Sequence, residues 1–351
     1  MRDEYAILGI ESSCDETAAA IVLSDKRILA NEIASQIETH AAHGGVVPEV
    51  AARAHLDAID EVIARALQTA NMRIDQIDAV AATGGPGLIG GVLVGTVAAK
   101  AIAAARAIPY FAVNHLEGHA LSGRLAADIE FPYLLLLVSG GHTQLLAVTG
   151  PGAYERYGTT MDDAAGEAFD KSAKIMGLGY PGGPAIEAAA RDGDAKAVAL
   201  PRPLRGSDHC HFSFSGLKTA VANRFDQLGG AGVAPVADLA ASLQSAIADC
   251  LADRTKRAMA RFAAAYGTST LVIAGGVAAN TEIFSRLEQV ASKAGFAISV
   301  PPSALCTDNA AMIAWAAMER RTEPDTLDFA PRPRWPLDPE AAPPPGRGVR
   351  G

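Results

Sequence analysis

Apolar positions come in short runs separated by polar turns and by longer stretches with helical spacing. Residues 5–10 are apolar, 11–17 polar and 18–23 apolar again, which predicts two strands joined by a polar turn. A helix is predicted from Pro48 and Glu49 to about residue 70. Pro and Glu suit a first turn, and Val50, Ile59, Val62, Ile63, Ala66 and Leu67 form an apolar stripe. Residues 77–83 read as a strand, 84–91 as a glycine-rich turn, 92–107 as an alanine-rich helix and 108–113 as another strand. A second strand–turn–strand unit, 133–138 and 144–149 around Ser139-Gly140-Gly141-His142-Thr143, arrives about 130 residues after the first. Helices are predicted over 162–176, after the tight loop 179–184, from 213–218 onward and, as two more, up to Tyr266. Strand 270–274, a glycine pair, a helix from Thr281, a short strand at 298–301 and a helix to about Arg320 complete the pattern. The alternation predicts an α/β protein. The repeated hairpins predict two similar lobes whose turns face a shared cleft.

At 351 residues the chain is long enough for two domains, and with 5% aromatics its packing must rely on small residues. The longest wholly aliphatic run, 134–138, is too short to span a membrane. The opening Met1-Arg2-Asp3-Glu4 has no signal-peptide pattern. Cys14, Cys210, Cys250 and Cys306 are scattered, with no C-x-x-C. That argues against a disulfide framework or a zinc knot and for a reducing, cytoplasmic setting. The net charge of −9 offers nucleic acid no bulk attraction, so such a partner requires a local basic patch. Arg202, Arg205, Lys218 and Arg224 form one cluster; Arg254, Lys256, Arg257 and Arg261 form another that reads more readily as a solvated helix face. From Pro331 the Pro- and Arg-rich composition predicts a disordered tail.

The chemistry centres on Asn114-His115-Leu116-Glu117-Gly118-His119. On a helix, His115 and His119 share one face, and two neutral imidazoles there can clamp Zn²⁺ or Fe²⁺. The stretch follows a strand, where ligand sites of open α/β sheets lie. The turn 11–17 holds hydroxyls and acids. Gly140 and Gly141 leave room for backbone amides to approach an acyl or phosphoryl group. Asp170 also fits an ion pair with Lys174, and Asn280 also fits a helix N-cap. Asp308 reads as an N-cap or a ligand. His40 and His43 belong to a glycine-rich loop, Arg53 and His55 can point toward the cleft, and His209, Cys210 and His211 are too close together for one tidy metal site. Gly85, Gly87 and Gly90 spell G-x-G-x-x-G between strand and helix, but the next strand ends at Val113-Asn114-His115 without the acid a dinucleotide fold wants.

Taken together, these motifs resemble the universal tRNA N6-adenosine threonylcarbamoyltransferase family (bacterial TsaD type). The matching pieces are 11–17, 43–55, 85–88, 115–119, 138–143, 167–171, 179–184, 213–218, 275–280 and 306–309, in family order across residues 1–320. The resemblance implies a two-lobed ASKHA (actin/hexokinase-like) fold with duplicated ribonuclease-H-like lobes and a central cleft. One lobe would hold 1–130 with 306–330 and the other 131–305, leaving 331–351 as the tail. It implies a divalent metal, Fe²⁺ with Zn²⁺ as the alternative, on His115, His119 and Asp308. The implied donor is threonylcarbamoyl-AMP. Leu137, Val138, Ser139, Gly140 and Gly141 would line its acyl-phosphate, Asp170, Gly183 and Glu187 would hold its polar groups, and Asn280 would sit by its base. The acceptor would be N6 of adenosine 37 in tRNAs reading codons that begin with A, and the helpers a non-catalytic paralogue and a small ATPase, with no membrane. No covalent nucleophile is needed, because the mixed anhydride is already activated. His142, or a carboxylate of the first turn, is the candidate base.

Other functions are weighed on the same residues. A zincin peptidase needs H-E-x-x-H, whereas Leu116 follows the first histidine and Glu117 comes one step late, turned about 100° on a helix. A sugar kinase of the same fold does not need the histidine pair. A nucleotide-binding switch leaves the three-residue metal set without a task.

Overall fold

The computed structural model describes residues 4–36 and 47–343; His40 and His43 lie outside the described residues. These residues form two compact units, one of 4–36, 47–128 and 307–339, the other of 129–306 and 340–343. The first therefore ends close to the expected 130 and regains the chain at 307, but it also takes in part of the expected tail.

The first unit is built on a five-stranded sheet ordered β3-β2-β1-β4-β5. Its strands are β1 (Ala6–Glu11), β2 (Glu16–Leu23), β3 (Ile28–Ser35), β4 (Ala79–Gly85) and β5 (Tyr110–Asn114). β1 pairs antiparallel with β2 and β2 with β3; β4 and β5 are parallel additions on the other side of β1. β1 and β4 are buried throughout, as strands covered on both faces must be. Helices α1 (Pro48–Thr69) and α2 (Ile89–Arg106) cover one face through Ile59, Val62, Ala66, Ala99 and Ala103. The other face carries α3 (His115–Ala126) and α10 (Ala310–Glu319). Gly9 permits that second layer: a Cβ there would meet the Ala310 carbonyl oxygen at 2.3 Å. Helix α2 is long and apolar enough to cross a membrane by length and composition. Its Gly91, Val92, Gly95, Thr96, Ala99 and Ala103 are nevertheless buried as the core face of a sheet-covering helix.

The second unit repeats this plan. Its sheet runs β8-β7-β6-β9-β10 and comprises β6 (Tyr133–Val138), β7 (Thr143–Gly150), β8 (Ala153–Thr159), β9 (Thr270–Ala274) and β10 (Ala297–Ser299). Again a three-stranded antiparallel meander is extended by two parallel strands on the side of its first strand. Its helices are α4 (Ala165–Met176), α5 (Gly182–Ala190), α6 (Ser215–Gln227), α7 (Val236–Tyr266), α8 (Thr281–Ala294) and the short α9 (Ser303–Cys306). The twofold repetition of one topology is the duplicated ribonuclease-H-like plan of the ASKHA fold.

Three expectations change. Where two helices were expected before Tyr266 there is one, α7, whose 31 residues contain neither Pro nor Gly to interrupt it. The helix expected from Asp162 begins at Ala165, because the Asp162 carboxylate is occupied elsewhere. The segment from Pro331 is not a disordered tail as far as it is described. The Arg332 N–H donates to the Gly84 carbonyl (2.7 Å), Gly87 N–H to Pro333 (3.2 Å) and Asn114 Nδ2 to Trp335 (2.9 Å). Arg332 lies over both Phe329 and Trp335, and Leu337 is buried.

Candidate functional site

In the first unit, β5 delivers the chain into α3, and Asn114 caps the junction by accepting the Leu116 N–H at 2.9 Å. His115 and His119 therefore lie one helical turn apart on one face, with ring centroids 4.8 Å apart and planes nearly perpendicular. Gly118 lets α3 approach α10 closely; a Cβ there would meet Ile313 at 2.9 Å. That approach brings the residue before the α10 cap to the histidines. The cap is Asn309, whose Oδ1 accepts the Met312 N–H, so Asp308 is released from capping. Its Oδ1 lies 3.1 Å from His119 Nε2 and 3.5 Å from His115 Nε2.

Behind His115 stands Glu11, fully buried at the end of β1. Glu11 Oε2 is 3.0 Å from His115 Nδ1 and accepts the Thr83 hydroxyl, while Oε1 accepts the Ser13 N–H at 2.6 Å. In the neutral, ligating ring a carboxylate there holds the proton on Nδ1 and keeps the Nε2 lone pair for a cation on the Asp308 side. Burial alone would lower the His115 imidazole, but the Asp308 and Glu11 charges outweigh it and push it up to about 9. Burial likewise pushes the Glu11 carboxyl up, yet His115 holds it below the usual range. Glu16 is pushed up to about 8 by burial and then by Asp308, Asp15 and Glu11. So much negative charge around two imidazoles is an environment that favours a cation.

The donor set fits a metal. With ligands at about 2.1 Å, donor atoms of a tetrahedral or octahedral ion stand roughly 3.0–3.4 Å apart, close to the 3.1 and 3.5 Å found here. Among the described residues, His115, His119 and Asp308 form the one group of three such side chains with donor atoms all within 4.8 Å. His119 Nδ1 is buried without a hydrogen-bond partner among those residues, a polar atom left to a ligand or a water.

The other first-unit candidates have structural tasks. His55 is buried: its Nε2 donates to the Cys14 carbonyl, so Nδ1 accepts from Thr17 and Gln36. Arg53 is exposed on the same helix. The G-x-G-x-x-G glycines are packing positions. A Cβ on Gly85 would strike Arg332 O at 1.8 Å, on Gly87 Ser13 O at 2.6 Å, and on Gly90 the Ala52 side chain at 2.8 Å. The Gly87 and Leu88 amides that would face a pyrophosphate already donate to Pro333 and Ser13 carbonyls.

In the second unit the turn after β6 is pinned by Ser139: its N–H donates to the His142 carbonyl (2.8 Å) and its hydroxyl accepts the His142 N–H (3.2 Å). Between them Gly140 and Gly141 are exposed, with nothing within 4 Å of an added Cβ, and their N–H groups carry no hydrogen bond among the described residues. Leu137 and Val138 are buried strand residues, so they can offer a ligand their backbone but not their side chains. Gly166, at the start of α4, backs the turn by donating to the Ser139 carbonyl. Gly275 (φ +99°) lies so close that a Cβ would meet Val138 O at 2.4 Å, which draws the segment 275–280 to the same place. Asn280 then caps α8, its Oδ1 accepting Ile283 N–H and its Nδ2 donating to Gln244. Glu187 Oε1 accepts both the N–H and hydroxyl of Thr281. Gly183 precedes Glu187 by one turn on α5, and Asp170 Oδ1 caps that helix by accepting Gly182 N–H at 2.7 Å. Lys171 beside it pairs with Asp163 and Glu167. Turn, Asn280, Glu187, Gly183 and Asp170 thus form one connected set. Thr83 and Gln244 are additions that the sequence pattern did not mark; Glu11 was noted only as one of the acids of the first turn and a candidate base, not as the partner of His115.

The family model for tRNA N6-adenosine threonylcarbamoyltransferases (TsaD) matches residues 27–315. Proteins of that name from Brucella anthropi and Brucella suis are 58% and 56% identical over 98% of this chain and 99% of their own. Among solved structures, component A of the Acidaminococcus fermentans (R)-2-hydroxyglutaryl-CoA dehydratase aligns with 91% of this chain and 100% of its own (TM-score 0.54, 16% identity). The HypF of T. kodakarensis aligns over 91% of this chain and 48% of its own (TM-score 0.59, 14% identity). These two show the fold alone; the sequence matches show that the chain belongs to the tRNA N6-adenosine threonylcarbamoyltransferase family and is an acyltransferase that modifies N6 of adenosine in tRNA.

Proposed function

We propose that the chain transfers the threonylcarbamoyl group from threonylcarbamoyl-AMP to adenosine 37 of tRNAs reading codons that begin with A, with one divalent metal bound by His115, His119 and Asp308. The observation that carries the metal reading is the donor set backed by Glu11. Two imidazoles and one carboxylate suit Fe²⁺ and tolerate Zn²⁺. When bound, the ion supplies Lewis-acid stabilisation of charge developing on the donor.

The chain's own residues do the positioning. The unpaired Gly140 and Gly141 amides suit the acyl-phosphate oxygens, where aligned backbone dipoles act without reorganising. Glu187 has an oxygen, Oε2, that accepts nothing among the described residues, and with Asp170 and Gly183 it suits the ribose end of the adenylate. Asn280 keeps one Nδ2 proton for the base. Since AMP is a good leaving group, holding the exocyclic amine near the carbonyl is the main demand. His142 beside the turn is the candidate base, because Glu11 already accepts from three donors. The non-catalytic paralogue, the small ATPase and the cytoplasmic setting belong to the same reading by resemblance.

The test is nucleoside mass spectrometry of unmodified tRNA incubated with this chain, its helpers and threonylcarbamoyl-AMP. The expected product is threonylcarbamoyl-adenosine at position 37, lost in His115→Ala and Asp308→Ala. Full product from both variants would remove the metal from the reaction.

A further inference from the structure

The second unit carries a cavity of about 380 Å³ that the transfer reaction as described does not use. Tyr157, His209, Cys210, His211, Arg257 and Arg261 line it, with Asp208 at its edge. We propose that this cavity binds a backbone phosphate of the tRNA acceptor, with the His209 and His211 Nε2–H groups and the Arg257 and Arg261 guanidiniums as donors. This rests on tRNA being the substrate.

The two tautomers are fixed by backbone. Thr159 N–H points at His211 Nδ1 (3.2 Å) and His211 N–H at His209 Nδ1 (3.2 Å). A backbone N–H can only donate, so each Nδ1 is the acceptor and each ring proton sits on Nε2. Neither Nε2 has a partner among the described residues. The rings stand 5.2 Å apart, both half-buried. The loop that presents them is built in place. Arg254, 1% exposed, donates to the Ser207 and His209 carbonyls, and Asp253, which pairs with Arg254, accepts the Gly206 N–H. The second basic cluster of the sequence is therefore not a plain solvated face: Arg254 is a buried strut, and Arg257 and Arg261, one and two turns on, rim the cavity.

Charge favours an anion over a metal there. The charges bearing on the Cys210 thiol are the guanidiniums of Arg261, Arg254 and Arg257, and that of Arg156 bears on His211. Arg257 pairs with a fully exposed Asp208 at 3.4 Å, and Arg261 with a half-exposed Glu155 while lying 4.0 Å over the Tyr157 ring. Exposed pairs of this kind are weak enough for a phosphate to displace. Position also fits. Thr159, which orients His211, pairs with Gln144, one residue beyond the start of β7, and the Ser139–His142 turn leads into β7. A nucleic acid held at the cavity is thus one strand away from the strand that the donor turn feeds.

The test uses the full chain with its helpers in the transfer reaction, plus anisotropy of labelled tRNA at several salt concentrations. Arg257→Gln and Arg261→Gln should raise the tRNA KM about 5–10-fold, leave kcat and the donor KM within about twofold, and each cut the salt slope by about one. His209→Asn and His211→Asn keep a side-chain acceptor for the backbone N–H but delete the outer donor. They should raise the tRNA KM about 2–5-fold with an unchanged salt slope, an effect that bulk charge does not produce. Unchanged tRNA binding in all four variants would overturn the proposal, as would a rise confined to the donor KM, which would make the cavity a donor site. A wild-type chain that bound no tRNA would instead overturn the acceptor reading on which the proposal depends.

Discussion

A buried carboxylate fixes the proton of whichever imidazole it touches, and Glu11 does this to His115 from one strand away. Glu11→Gln keeps the volume but removes the charge and turns one of the two accepting oxygens into a donor; with Oε1 kept for the Ser13 N–H, the amide nitrogen faces His115, so the ring is expected to flip its proton to Nε2 and lose its lone pair toward Asp308. Metal affinity should fall about 10–100-fold, read by chelator competition, with the melting temperature little changed. The neighbours Asp308 and Asn309 separate ligation from folding. Asp308→Ala should abolish stoichiometric metal after dialysis, whereas Asn309→Ala should cost about 1 kcal/mol of stability through the lost cap and retain the ion. Equal metal loss in both would mean that the cap, not the ligand, matters. At this scale the histidine pair was legible because the two sit four apart, whereas Asp308 read equally as an N-cap or a ligand and joined them only through the family resemblance. Glu11 was visible as one acid of the first turn, but its place behind His115 was not, because its partner lies 104 positions away.

Elements are joined by a carboxylate that the hydrophobic pattern assigned to the wrong helix. Asp162 does not begin α4; it terminates the approach to α6, accepting Phe214 N–H (2.7 Å), Ser215 N–H (3.2 Å) and the Ser213 and Ser215 hydroxyls. Burial pushes its carboxyl up, but these donors outweigh burial and hold it below the usual range. A folded-state value below the unfolded one means stabilisation that is complete above about pH 4 and drains away as pH falls through the lowered value. Asp162→Ala should therefore cost about 1–2 kcal/mol at neutral pH, and its deficit against wild type should shrink below about pH 4 in denaturant titrations. A deficit constant down to pH 2 would assign the loss to packing. Most core strands were legible as apolar runs. The strands that escaped notice, β3 and β8, are sheet edges, where Glu32 and Asn31 or Glu155 and Arg156 break the alternation because one side meets solvent.

Across the whole molecule, duplication was legible as a repeated hairpin because both units spend their most apolar residues on the same meander. The tail was not legible, since Pro-rich sequence has few N–H groups and reads as chain that cannot pay its ordering entropy. Here the few groups that remain are well placed. Arg332 N–H and Pro333 O bracket the Gly84–Gly87 turn, and Trp335 O takes the Asn114 side chain. Asn114 is also the cap of α3, so the tail holds the side chain that starts the histidine helix. Removing everything after Ala330 deletes these three hydrogen bonds of the first unit and the one from Arg156 to the Ala342 carbonyl in the second, about 1 kcal/mol each, and exposes the surface under Leu337. The expected cost is about 3–5 kcal/mol, seen as a lowered melting transition. The Gly87 amide, whose acceptor Pro333 is lost, should exchange with solvent much faster, and metal affinity should drop as α3 loses the support of its cap. Unchanged exchange at Gly87 together with unchanged metal affinity would show that residues 331–339 merely rest on the first unit and that α3 is held by α10 alone.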